Sequence, residues 1–252
     1  MNDIEAKTAM HPCYSGSCKN GRIHLPVAPA CNISCNYCNR KFDCVNESRP
    51  GVTSEVLSPQ KAAEKYIRVK QALPNLRVAG IAGPGDALAN FDKTEETFRL
   101  IRQADPDVIF CLSTNGLYLE RYAERIAALG VTHVTVTMNA INPEIGARIY
   151  KEVNYDGVRY TSVDGAKLLL QKQLEGLAKL RELGIVAKIN TVLIKGVNDG
   201  DIENVASIAR TYSVYIGNVM QLIPAPGSSF ENMPLTANFE LNEARKKCGA
   251  YL

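Results

Sequence analysis

The chain has 252 residues, a formal charge of only +3 from 29 basic and 26 acidic side chains, 46% hydrophobic residues and eight cysteines. That length suits one domain of α/β-barrel size, and no apolar run reaches the roughly eighteen residues that would span a bilayer. Basic and acidic residues interleave instead of forming a basic stripe with aromatics, so neither nucleic acid nor membrane is expected as a partner.

Residues 1–21 read as an N-terminal arm. They lack the apolar core and small-residue cleavage site of a secretion signal, which predicts a reducing, cytoplasmic setting with thiols free for metal. The arm holds Cys13, in HisProCys, and Cys18, in GlySerCysLysAsn. A first strand is predicted over 22–28, with Ile23, Leu25 and Val27 on one face and Arg22 and His24 on the other.

After it comes the most informative segment, AlaCysAsnIleSerCysAsnTyrCysAsn, in which Cys31, Cys35 and Cys38 are spaced Cys-x3-Cys-x2-Cys. A 4Fe–4S cluster offers four irons, so a loop with three thiolates leaves one iron open to an exogenous ligand. Structural zinc pairs two Cys-x2-Cys knuckles at a distance, and no second knuckle is present. A disulfide framework conflicts with the reducing setting. Cys44 follows six residues later. Glu47 and Arg49 then read either as a surface ion pair or, for Glu47, as a carboxylate that binds iron or accepts a proton.

Beyond this loop, β-rich runs alternate with amphipathic helical stretches. A helix is predicted over 58–72 from the Ser58-Pro59 start, then a strand over 78–83 that runs into Gly83-Pro84-Gly85-Asp86-Ala87, whose glycines let backbone approach a ligand. A helix over 94–103 precedes a strand over 108–113 that puts Cys111 and Ser113 on one face, with Asn115 just past its end. A helix over 118–129, closed by Gly130, leads to a strand over 132–138. There Val134, Val136 and Met138 alternate with Thr135, Thr137 and Asn139.

Residues 150–163, rich in tyrosine, are longer than a usual connection and read as a lid, a rim loop or an ordinary surface loop. A long helix over 164–183 from Asp164-Gly165, closed by Gly184, is followed by a strand over 185–194, a helix over 201–211 and a strand over 215–222. Residues 223–252, opening with ProAlaProGly, read as a cap or tail.

Six such repeats predict an α/β fold, a partial (βα)6 TIM-like barrel forming one domain over 1–252, with its core at 22–222. The apolar strand faces meet the helices, leaving the polar set to line an interior built for a ligand. Thr135 and Thr137 are expected to satisfy one another, and His11 and His133 to be structural. Asn115 and Asn139 stand at C-terminal strand ends, where barrel enzymes build their sites. Cys13, Cys44, Cys111 and His24 are expected to converge on the barrel mouth as ligands of auxiliary clusters. Cys18 and Cys248 each stay open between a ligand and an incidental thiol.

The triad, with aromatic Tyr37 before its last cysteine, resembles the cluster motif of the radical S-adenosylmethionine (SAM) superfamily. The longer run HisLeuProValAlaProAlaCysAsnIleSerCysAsnTyrCysAsnArgLysPheAspCys is similar to the branch of that family that matures the nitrogenase cofactor. The resemblance implies a barrel of the radical SAM type, with a SAM-binding 4Fe–4S cluster on Cys31, Cys35 and Cys38. Gly83, Gly85 and Asp86 would receive the methionine amino group, Ser113, Asn115 and Asn139 the ribose and carboxylate, and Asn190 the adenine.

It further implies Cys13, His24, Cys44 and Cys111 as ligands of two auxiliary 4Fe–4S clusters. By the same resemblance one SAM methylates that iron–sulfur substrate. A second yields the 5′-deoxyadenosyl radical that abstracts hydrogen, and the carbon ends as a carbide in an eight-iron cofactor precursor. Partners would be iron–sulfur and electron donor proteins and a carrier or scaffold protein of nitrogenase assembly. Two departures stand out: the family carries a His-His pair where this chain reads GlySerCysLysAsn, and relatives continue into a second cysteine-rich segment beyond the position of Leu252. Two other readings stay open, a peptide-modifying radical SAM enzyme with auxiliary clusters and a non-catalytic iron–sulfur carrier.

Overall fold

The computed structural model describes residues 3–16, 19–41, 44 and 55–252. Glu47, Arg49 and Cys18 lie outside the described residues. In chain order the elements are α1 (Asp3–Ala9), α2 (Pro12–Ser15), β1 (Gly21–His24), β2 (Ile33–Cys35), α3 (Pro59–Ala72), β3 (Leu76–Ile81), α4 (Phe91–Ala104), β4 (Ile109–Thr114) and α5 (Leu119–Ala128). There follow β5 (Val131–Thr137), α6 (Pro143–Ile149), β6 (Tyr150–Tyr155), β7 (Val158–Tyr160), α7 (Ser162–Glu182), β8 (Val186–Leu193), α8 (Ile202–Thr211), β9 (Ile216–Gln221) and α9 (Asn238–Cys248).

Six strands form one parallel sheet in the order β1-β3-β4-β5-β8-β9, curled into a half-barrel. Parallel pairing requires a crossover between neighbours, and α3, α4, α5, α7 and α8 supply it. Because all six strands run the same way, their C-terminal ends share one rim, and the loops carrying Gly83–Ala87, Asn115 and Asn139 gather there. No helix among the described residues is long and apolar enough to cross a membrane.

The strands and crossover helices follow the sequence closely because their signals are local. Ser58 caps α3 by accepting from the Lys61 amide, with Pro59 as the first helical residue. Gly130 and Gly184 follow α5 and α7 with φ of +80° and +64°, the left-handed closure that glycine permits. Val134, Val136 and Met138 are fully buried in the main core between sheet and helices, along with Phe98 and Phe110, whose rings stack at 4.3 Å.

Two expectations change. Regular pairing of the first strand ends at His24 and does not run to residue 28; Pro26 has no N–H to continue a ladder. Residues 150–163 are not an irregular loop: α6 continues into an antiparallel hairpin, β6 with β7. Asp156 and Gly157 both have positive φ, +51° and +79°, the hairpin turn favoured by an Asp-Gly pair. This hairpin takes up β2 to make a second, three-stranded sheet. The arm is helical, and α9 packs against α8 and β9 through an outer apolar cluster that includes Leu193, Ile202, Val219, Leu241 and Cys248.

Candidate functional site

The cysteine loop is held from four directions. On its N-terminal side the glycine-rich segment pairs with it: Gly85 donates to the Ala28 carbonyl at 2.6 Å and Asp86 to the Ala30 carbonyl at 2.8 Å. A Cβ on Gly85 would collide with the Ala30 carbonyl oxygen. The close approach this glycine allows is therefore to the backbone leading into Cys31. Along β2 the hairpin pairs Ile33 with Val153 and Cys35 with Tyr150, while the Asn154 amide donates to the Asn32 carbonyl at 2.8 Å. Past β2, the Asn36 carbonyl accepts from Phe230 at 3.0 Å, and Asn39 Nδ2 donates to the Pro226 carbonyl at 2.7 Å. The fourth hold is the end of β4, described next.

Cys31, Cys35 and Cys38 line one pocket with Cys44, Ser113 and Thr137. Asp86 and Asn115 stand at its wall. The Asp86 carboxylate accepts from the Leu88 and Ala89 amides at 2.9 and 3.1 Å, from Thr114 Oγ1 at 3.0 Å and from the Asn115 amide at 2.6 Å. Burial pushes its carboxyl up while those four donors pull it down. Its oxygens bind the glycine loop to the end of β4. Asn139 is fully buried; its Nδ2 donates to Tyr37 Oη at 2.9 Å and its Oδ1 accepts from the Val192 amide at 2.9 Å. Asn190 stands beside Thr137 in strand register and accepts from Asn218 at 3.4 Å.

Burial raises the Cys31 thiol to about 11, helped by the charge of Asp86. It also carries Cys35 well above its ordinary range and raises Cys38. Metal-free, these thiols are protonated at neutral pH, so uptake of iron releases protons and becomes pH-dependent. The donor set fits an iron–sulfur cluster: three thiols in one loop, an apolar surround, and amide donors beside the sulfurs. Among the described residues no three Cys, His, Asp or Glu side chains converge on a single ion. A cubane spreads its thiolates over separate irons and does not need that convergence.

Below this tier the half-barrel interior holds a second set of donors. A Cβ placed on Gly80 would lie 2.8 Å from Cys111 Sγ and 3.7 Å from His24 Cδ2, so thiol and imidazole face each other across that glycine. The arm brings in Cys13, whose Sγ accepts from Arg22 Nη1, while Lys188 Nζ reaches the Cys13 carbonyl at 3.5 Å. Tyr14 donates to the Val134 carbonyl at 3.3 Å and packs on His11 and His133. His11 accepts at Nδ1 from the Cys13 amide and His133 Nδ1 meets Thr132 Oγ1 at 2.8 Å, but the buried Nε2 of each has no partner, where satisfied structural histidines were expected. Burial, then the Arg22 charge, lowers His24 to about 3, so its imidazole is neutral and has a lone pair for a metal.

The structure thus gathers Cys31, Cys35, Cys38 and Cys44 in one pocket at the rim and faces His24 with Cys111 beneath, with Cys13 held on Arg22 of the same strand as His24; of the four expected auxiliary ligands only Cys44 lies with the triad at the mouth. Cys248 joins neither group; its Sγ faces the Ile202 carbonyl at 3.7 Å in the outer apolar cluster. Sequence reasoning gave no role to Asn32, Arg22 or Tyr150. Arg22 was signalled by its shared parity with His24, and Tyr150 by its place in a strand after the Asn142-Pro143 helix start; nothing local signalled Asn32. A larger hollow of 380 Å³ between β8, α8 and α9 holds Lys195, Glu203, Glu240 and Lys247 but no cysteine.

The chain is similar to known proteins over almost its whole length. The chain is 48% identical over 252 residues to the FeMo cofactor biosynthesis protein NifB of Klebsiella pneumoniae, covering 98% of this chain and 54% of that protein. It is 46% identical over 244 residues to NifB of Chlorobaculum tepidum, covering 96% and 58%. It therefore spans little more than half the length of these curated relatives. A crystal structure of methylornithine synthase superposes with a TM-score of 0.55 at 14% identity, over 97% of this chain and 67% of that one, a likeness of fold. The profile of the radical SAM superfamily matches residues 25–209, from just past β1 into α8. With its cysteine loop seated on the rim of a parallel half-barrel, the chain belongs to the radical SAM superfamily, whose members use a 4Fe–4S cluster and SAM.

Proposed function

We propose that this chain is a radical SAM maturase of the nitrogenase FeMo cofactor, acting on iron–sulfur clusters as substrate. The observation that carries the reading is a second pair of donors in the same interior, His24 facing Cys111 below the thiol triad, with Cys13 held on Arg22 beside them. A cluster held by the triad supplies one electron for reductive cleavage of SAM.

The chain's own residues then do the positioning. Cys31, Cys35 and Cys38 hold the SAM-binding cluster. Gly83, Ser113 and Asn190 present polar groups to SAM from the strand ends, while Asp86, Asn115, Tyr37 and Asn139 fix the loops that carry them. Cys13, His24, Cys44 and Cys111 hold two 4Fe–4S substrate clusters, and the arm closes the floor against water. One SAM would give its methyl group to the substrate and leave as S-adenosylhomocysteine, and a second would take one hydrogen from that carbon as 5′-deoxyadenosine; loss of the remaining two hydrogens as protons, with electrons from the cluster irons and the electron donor, would let the two clusters fuse around a carbide into an eight-iron precursor. Iron–sulfur and electron donor proteins load the site, a carrier or scaffold protein removes the product, and the reducing cytoplasm keeps the thiols competent. The 46–48% identity to NifB proteins supports this reading.

The test is anaerobic reconstitution with iron and sulfide, then SAM and dithionite, with chromatography of the products. A maturase forms both S-adenosylhomocysteine and 5′-deoxyadenosine. Only 5′-deoxyadenosine would replace this reading with another hydrogen-abstracting family member, such as a peptide-modifying enzyme. Neither product, with iron bound, would leave a non-catalytic carrier.

A further inference from the structure

Two asparagines at neighbouring strand ends are oriented by backbone amides, and each aims a donor at the cysteine loop. Asn115 Oδ1 accepts from the Leu117 amide at 2.9 Å, which settles which end of the side-chain amide is which. Its Nδ2 is therefore the donor, at 2.6 Å from Asn32 Oδ1 and 3.7 Å from Cys31 Sγ. Since Asn32 Oδ1 is an acceptor, Asn32 Nδ2 must also be a donor, and it is buried without any partner. Leaving such an N–H unpaired costs about 1–3 kcal/mol, and the residue next in the chain is Cys31.

The second arm runs from β5. Asn139 Oδ1 is taken by the Val192 amide, so Asn139 Nδ2 donates to Tyr37 Oη. The tyrosine's oxygen is thereby occupied as an acceptor and its proton is left to give. Tyr37 is completely buried and lines the same pocket as Cys35, two residues before it, so its proton is available to that sulfur.

We propose that Asn115, Tyr37 and Asn32 form a donor set on the sulfurs of the triad cluster, the first two on the Cys31 and Cys35 thiolates and Asn32 on an inorganic sulfide. Reduction adds negative charge to the cluster, and donors aimed at its sulfurs stabilise the reduced form more than the oxidised one. These side chains therefore make the cluster easier to reduce. They are positioning residues, and the assignment rests on the triad holding a 4Fe–4S cluster.

The experiment uses the reconstituted full chain, with iron counted, a redox titration followed by electron paramagnetic resonance, and deuteron couplings recorded in D2O on the signal that SAM perturbs. Wild type is expected to show exchangeable deuterons coupled to that signal. Tyr37→Phe and Asn32→Leu should each lose one coupling and shift the one-electron reduction equilibrium at least tenfold toward the oxidised state, 59 mV. Full iron with unchanged potential and couplings in both variants would overturn the proposal. A purely structural role would lower iron content and leave the couplings of the remaining cluster intact. If neither variant takes up iron, wild type decides, since a cluster without exchangeable couplings also overturns the proposal. A wild type that builds no cluster would instead sink the cluster reading itself, and the donor assignment with it.

Discussion

On the helix side of the sheet, Val134, Val136 and Met138 are sealed into an apolar core; on the interior side, the residues that alternate with them are Thr135, Thr137 and Asn139. The first face is complete in itself. Its side chains need only shape and apolar area, and each fully buried aliphatic or aromatic group contributes about 1.5–3 kcal/mol on leaving water. The second face is less completely buried, Thr135 being only half-buried, and chemically unfinished, with His133 Nε2 on the strand, Asn32 Nδ2 in the loop above and His11 Nε2 in the arm lacking partners, and with thiols raised by desolvation. A fold carries such groups when something else completes them. The comparison predicts that changes on the two faces fail in different ways.

The largest separation should come from the triad. Alanine at Cys35, the most desolvated of the three thiols, is expected to abolish SAM cleavage and remove the triad cluster. The thermal stability of the metal-free protein should change by less than about 1 kcal/mol, because a thiol in need of metal contributes little packing. Iron analysis beside calorimetry checks this; SAM cleavage that survives would break the division between faces.

The opposite behaviour is expected at Phe110, which is fully buried, stacked on Phe98 and covered by the Arg102 guanidinium at 4.5 Å. Phe110→Ala should cost about 3–5 kcal/mol of folding stability. Whatever protein remains folded should reconstitute to wild-type iron per chain. Denaturant titration with iron counting of the folded fraction tests it, and proportional loss of iron would show the faces to be coupled.

Gly85 tests the boundary, since it lies in neither face but in the strap that seats the cysteine loop. Gly85→Ala forces a methyl into the Ala30 carbonyl, an overpacking of about 1–3 kcal/mol confined to one loop. Slower hydrogen exchange elsewhere should persist while amides 28–31 and 83–86 exchange faster, and iron uptake should fall. Uniform acceleration across the sheet would count against a local strap.

How much of this was legible depends on whether the signal was local. The six strands, the crossover helices and the polar parity of Arg22, His24, Cys111 and Thr137 could be read because period and caps act over a few residues. The triad could be read because its spacing is itself the ligand geometry. The role of Gly85 could not, since glycine shows only that something approaches closely, and here the neighbour is residue 30 of the same chain. The hairpin carried a usable Asp156-Gly157 turn signal, but its tyrosines resembled a surface loop until their pairing with β2 was known. Asn32 was invisible because its importance lies in a partner it lacks, which only the three-dimensional count of donors and acceptors reveals.

The smallest expected effect lies on the outer layer and sharpens what self-sufficiency means there. Asp105 accepts from Tyr66 at 2.6 Å and pairs with Lys70 at 3.2 Å. Burial pushes its carboxyl up, but the Tyr66 hydroxyl, Lys70 and the Asp107 amide outweigh that and hold it below its ordinary value of 3.8. A carboxyl lowered in the folded state binds fewer protons there than in the unfolded chain. Its stabilisation is thus fully present above about pH 4, the unfolded value, and is lost as pH falls through the folded value. Asp105→Asn should therefore cost about 1 kcal/mol at pH 7, with the gap to wild type closing as pH drops below 4. Iron uptake should be untouched at either pH where the protein stays folded, because every group that completes Asp105 already belongs to the chain, whereas the triad still requires iron and sulfide from outside.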